Sequence, residues 1–118
     1  MADLQITSQV ITSSQALIRM GGTVDTVNFY RMEEEFGKVL ESSVQGLLLD
    51  AGKLESATSA ALGSLANLTR IMKDRGGKLV IALPEGEVRT LVELLGLTTT
   101  LNIHDTMDAA RRALADTR

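Results

Sequence analysis

The sequence contains no cysteine, no tryptophan and a single proline, and only 3% of its 118 residues are aromatic. Without cysteine there is no disulfide scaffold, thiolate zinc site, catalytic thiol or iron–sulfur cluster. With so few rings, base-stacking platforms and aromatic cages for sugars or quaternary amines have no material. A lone histidine, His104, cannot make a histidine cluster. Basic runs are also lacking: Lys+Arg number 12 against 15 Asp+Glu, a net charge of −3, which argues against nucleic acid as a partner. No apolar run approaches the roughly 18 residues of a membrane span, and the start, Met1 to Thr7, lacks the basic and apolar regions of a signal peptide. The expectation is a cytoplasmic, bacterial-style domain without membrane insertion, metal or cofactor.

What is present points to a folded chain. Hydrophobic residues make up 44% and charged residues 23%, and the length fits one domain over residues 1–118 with an aliphatic core. Leu4, Ile6, Ser8 and Val10 alternate with polar positions, and Ala16 to Met20 follows a polar Thr12 to Gln15, which predicts a hairpin. Gly21-Gly22-Thr23-Val24-Asp25 is expected to break the second strand, with a helix starting near Thr26 and ending near Ser42. Phe29, Met32, Phe36, Val39 and Leu40 share one face of that helix, while Glu33, Glu34 and Lys38 face water.

Leu47-Leu48-Leu49 has no polar alternation, the pattern of a parallel strand covered on both faces, and Asp50-Ala51-Gly52-Lys53 is expected to end it. A second stripe, Leu62, Leu65, Leu68 and Met72, predicts a helix over Ser59 to Lys73, stopped by Arg75-Gly76-Gly77. Lys78 to Leu83 is the next buried strand. Val88, Leu91, Val92 and Leu95 mark a short helix closed by Gly96. Leu101 to Ile103 predicts a last strand, and Asp105 an N-cap for a final helix with Met107, Ala110 and Leu114 inward. The predicted order is ββαβαβαβα: an α/β fold with a mixed sheet of about five strands and about four helices.

Few residues carry chemistry. His104 falls after the last predicted strand as a loop or capping residue, and no nucleophile, base and oxyanion donor set can be assembled from one His and no Cys, so an enzyme is not expected. The glycine pairs match neither GxGxxG nor GxxxxGK[ST], so no nucleotide-binding loop is present. The unusual stretch is Asp50 to Gly63, between a buried strand and a helix, and it holds three hydroxyls, Ser56, Thr58 and Ser59, where the helix begins. Either Thr58 or Ser59 suits the N-cap, and a phosphate there would meet free N–H groups and the positive end of the helix dipole.

The segment from Leu47 to Gly63, continued by Arg75 to Ile81, resembles the STAS domain of bacterial anti-sigma factor antagonists, and the similarity extends over nearly the whole chain. Gly22-Thr23-Val24-Asp25 is similar to the family's Gly-Glu-Leu-Asp turn, and Leu48-Leu49-Asp50 to its strand ending in Asp. Pro84, Val88-Arg89, Leu94-Leu95-Gly96-Leu97 and Asp105 to Ala110 match its late loop and helices. Where the family reads Asp-Ser-Ser-Gly-Leu-Gly, this sequence has Thr58-Ser59-Ala60-Ala61-Leu62-Gly63, so Ser59 falls on the phosphorylated serine.

The resemblance implies a partner switch. An unphosphorylated antagonist captures an anti-sigma factor, a histidine-kinase-like serine kinase, and so regulates transcription. Ser59 would be the phosphoacceptor, with Thr58 the fallback, and Asp25, Asn28, Ser56, Thr58, Ser59 and Leu62 would form the partner surface. The alternative is a STAS scaffold or accessory subunit of a stress-sensing or transporter complex, without phosphorylation at Ser59.

Overall fold

The computed structural model describes residues 3–115; Met1, Ala2 and residues 116–118, at the ends of the expected domain, lie outside the described residues. Four helices and five strands run in the order β1 (Gln5–Val10), β2 (Gln15–Val24), α1 (Phe29–Leu40), β3 (Gly46–Ala57), α2 (Ser59–Asp74), β4 (Lys78–Ala82), α3 (Glu87–Leu94), β5 (Ile103–His104) and α4 (Met107–Ala115). The strands lie side by side in chain order as one sheet. β1 is antiparallel to β2, and every later pairing is parallel, so the sheet is mixed as predicted.

The leucine triplet explains the layering. Successive strand residues point to opposite faces, so Leu47 and Leu49 enter the larger core with Met32, Phe36, Leu62, Leu65, Leu68 and Met72, while Leu48 points the other way. There it meets Leu17, Val80 and Ala82 beneath Ala110 and Leu114 of α4. Three helices therefore cover one face, and α4 covers part of the other.

Several boundaries depart from the sequence-based expectation, each for a tertiary reason. β2 does not break at Gly21-Gly22 but continues to Val24, because β1 pairs with it as far as Gly21 and β3 carries the pairing on to Val24. The glycines instead host register shifts against β3 between Arg19 and Gly21 and between Gly22 and Thr23, with Gly22 at φ +81°, a conformation L side chains resist. β3 likewise runs past Asp50 to Ala57. It pairs with β4 only as far as Asp50, and its continuation holds to β2 alone.

The last strand is shifted to Ile103–His104, so His104 is a strand residue paired beside Ala82, with Nε2 2.8 Å from Asn102 Oδ1. Asp105 is not the N-cap of α4. Thr106 Oγ1 accepts from the Ala109 N–H at 3.1 Å, while the Asp105 carboxylate pairs with Arg89 at 2.9 Å. The acidic run Glu33-Glu34-Glu35, which the sequence alone places on the solvated side of its helix, is not wholly solvated. Glu35 is half-buried, accepting from Ser8 of β1 and from Lys38, and Glu33 accepts from Ser64 of α2.

Candidate functional site

Parallel strands followed by helices bring the C-terminal ends of β2 and β3 together with the first turns of α1 and α2. Thr23 pairs with Ser56 and Val24 with Ala57, so the turn at Asp25 stands beside the start of α2. Ser56 Oγ donates to Thr23 Oγ1 at 3.2 Å, tying the two strand ends through their side chains.

The Asp25 turn is built by reciprocal side-chain bonds. Asp25 Oδ1 accepts from the N–H groups of Val27 and Asn28, both at 2.9 Å, and Asn28 Oδ1 accepts from the Asp25 N–H at 2.9 Å. Asn28 Nδ2 donates to the Thr23 carbonyl at 2.9 Å and to Asp3 Oδ1 at 3.2 Å. These bonds divert residues 25–28 into a turn, so α1 starts at Phe29 rather than at Thr26. They also bury Asn28, one of the residues expected at the partner surface, to 6% exposure. The Asp3 carboxyl is held below its ordinary value, first by the Leu4 backbone N–H and then by Asn28.

At α2 the two candidate hydroxyls have separate roles. Thr58 is the N-cap: its backbone is extended and its side chain accepts from the Ala61 N–H at 3.1 Å. Ser59, the first helical residue, is exposed, and among the described residues its hydroxyl makes no hydrogen bond. The first-turn N–H groups of Ser59 and Ala60 also have no acceptor among the described residues. Leu62, also expected at the partner surface, is buried like Asn28. At 1% exposure it lies in the core, where its place on the helical stripe puts it.

Two residues absent from the sequence-based surface stand beside this site. Val27 is 79% exposed and Tyr30 60% exposed, at the entry to α1. Their signal was available, since both fall off the apolar stripe of α1 and yet are apolar. The surface at this end of the sheet is therefore Asp25, Val27, Tyr30, Ser59 and Ala60, with Ser56 and Thr58 half-buried behind it. Among the described residues no three His, Asp or Glu side chains are grouped to hold a metal ion, and no described helix is long and apolar enough to cross a membrane.

A mixed sheet with β1 antiparallel, three helices on one face and a hydroxyl at the first turn of α2 defines the architecture of a STAS domain. The STAS domain family model matches residues 3–110, and the chain belongs to that family. No curated protein sequence matches it. Solved structures with the same fold include an anti-sigma factor antagonist from Mycobacterium paratuberculosis, 22% identical with a TM-score of 0.86, covering 97% of this chain and 96% of that one. A putative anti-sigma factor antagonist from Thermotoga maritima is 18% identical with a TM-score of 0.81, covering 93% and 94% of the two chains. The phosphorylated form of the Bacillus cell fate determinant SpoIIAA is 15% identical with a TM-score of 0.69, covering 92% and 99%. At these identities the likeness concerns the fold.

Proposed function

We propose that this STAS chain is a cytoplasmic anti-sigma factor antagonist, a binding module rather than a catalyst, whose unphosphorylated form captures an anti-sigma serine kinase of the histidine-kinase-like type. Transfer of the ATP γ-phosphoryl group to Ser59 Oγ, with ADP leaving, ends the capture. The observation that carries this reading is the free, exposed hydroxyl of Ser59 beside the Asp25 turn, next to a neighbour whose own hydroxyl is occupied in capping. A phosphate there is compatible with the fold, because unpaired first-turn N–H groups and the helix dipole favour an anion. It is not compatible with a bound partner. It adds about −1.5 to −2 charge beside Asp25 and the exposed Val27 and Tyr30, a surface that docking must desolvate.

The test is phosphopeptide mapping after incubation with the cognate kinase and ATP, joined to titration calorimetry of two variants. Modification is expected at Ser59. Ser59→Asp is expected to weaken kinase binding while Ser59→Ala keeps it, with closely similar melting temperatures. Modification confined to residues away from Thr58 and Ser59, or equal affinities for the two variants, overturns the proposal. One observation favours a second reading as a scaffold or accessory subunit: Thr58 stands where the resembling antagonists carry Asp, so no acidic side chain adjoins the Ser59 hydroxyl in sequence. That reading gains if the chain assembles with its partners and is never phosphorylated at this helix start.

A further inference from the structure

The two edges of the sheet are unlike. At one edge β5 is two residues long, Ile103–His104, and Asp105 follows it at once. At the other, β1 is six residues long and pairs with β2 along one side only. Antiparallel geometry makes alternate residues of β1 turn their N–H and C=O outward, where among the described residues no strand takes them.

Edges of this length are ordinarily protected by a Lys, a Pro, a bulge or an inward-pointing charge, any of which discourages pairing with another chain. β1 has none of these. From Leu4 to Ile18 no residue is charged and none is proline, and the pairing of β1 with β2 runs from Gln5 to Val10 without a register shift. Gln5, Thr7 and Gln9 are exposed, and the strand ends in apolar residues open to solvent, Val10 at 60% and Ile11 at 44%.

We propose that β1 pairs antiparallel with β1 of a second copy of this chain, about a twofold axis, joining the two sheets into one. The occupant follows from charge and symmetry. In a twofold contact each residue meets the same patch on its partner, so a charged edge would oppose itself, whereas an uncharged one is self-compatible. The helix above this edge fits the same arrangement. α1 lies over β1 through the Ser8–Glu35 bond, and its basic residues on that flank are already neutralised within the chain, Arg31 by Asp3 and Lys38 by Glu35.

With β1 and its symmetry mate about 4.8 Å apart, α1 of each copy, which packs over β1 and β2, flanks the seam. Growth stops at two copies, because the remaining edge is the short β5 flanked by Asp105. The surface around Asp25 and Ser59 lies at the C-terminal ends of β2 and β3, the strands inside this edge. The inference does not depend on phosphorylation at Ser59.

Sedimentation equilibrium of the full chain, over a series from micromolar to submillimolar, is expected to give twice the 12.7 kDa chain mass at the top and a fall on dilution. Amide exchange at alternate β1 residues should slow as concentration rises. Thr7→Lys, at the middle of β1, sets like charges close to the twofold axis, and Val10→Lys puts a charge on the apolar end of the edge; each should raise the dimer Kd by about tenfold or more, with unchanged circular dichroism. Leu94→Lys, at an exposed apolar residue of α3, should leave the dimer intact. A wild-type chain that stays monomeric throughout overturns the proposal, as does a dimer that survives both Lys variants or is abolished by Leu94→Lys.

Discussion

At position 58 the hydroxyl is committed to the fold, and at position 59 it is free. The two adjacent residues therefore differ in what their removal does. Thr58→Ala leaves the Ala61 N–H without its cap and is expected to cost about 0.5–2 kcal/mol of stability, whereas Ser59→Ala should stay within about 0.5 kcal/mol. Urea unfolding of the two variants side by side checks this; equal losses would mean that the capping role is shared. Asn28 shows the same principle from the buried side. Its amide joins Asp25, Thr23 and Asp3, so it shapes the Asp25 turn.

Among the elements, the junction of α2 with β4 is the most constrained. Gly76 leaves the helix at φ +82°, and the Gly77 N–H returns to the Met72 carbonyl at 2.8 Å. Arg75 reaches across to the carbonyls of Leu40, Ser42 and Val44, so one guanidinium holds the loop between α1 and β3. The Lys78 N–H donates to the Gln45 carbonyl at 2.7 Å, and a Cβ at Gly77 would stand 2.2 Å from that same oxygen. Gly77→Ala must therefore displace backbone and is expected to destabilise by about 1–3 kcal/mol. Gly63, inside α2 with open space around it, should respond in the opposite sense, Gly63→Ala stabilising by about 0.5–1 kcal/mol. Chemical denaturation of the two alanine variants measures both, and the same sign for both would refute the geometric argument.

For the molecule as a whole, the edge strand is fastened to the helical layer by a pH-dependent contact. Glu35 has its carboxyl held below the usual 4.5, chiefly by the hydrogen bond from Lys38 and, against the effect of burial, also by that from Ser8. Because the folded value is the lower one, the contribution is complete above the ordinary Glu range and is lost as the pH falls through the folded value. Glu35→Gln should therefore melt below the wild type at neutral pH, and the gap should close on acidification below about pH 4.5. Thermal melts of both proteins across that range decide it. A gap independent of pH would show that the bond from Ser8 matters and the charge does not.

Periodicity determined the element order, the mixed sheet and the two-sided burial of Leu47 to Leu49, because spacings of two and of three to four are local properties of the chain. It also placed Leu62 on a buried stripe, and the packing has it in the core. Local signals failed where pairing partners decide. Gly21-Gly22 reads as a break, yet pairing with β3 carries β2 through it to Val24, and the same pairing carries β3 past Asp50. The N-cap of α4 passed from Asp105 to Thr106, because Arg89, sixteen residues away in the chain, stands beside the Asp105 carboxylate. The candidate site divides in the same way. Ser59 and Asp25 were legible as residue types at turns, but the exposure of Val27 and Tyr30, the burial of Asn28 and the freedom of the Ser59 hydroxyl exist only once two strand ends and two helix starts are brought together, since burial and hydrogen bonding are relations between distant parts of the chain.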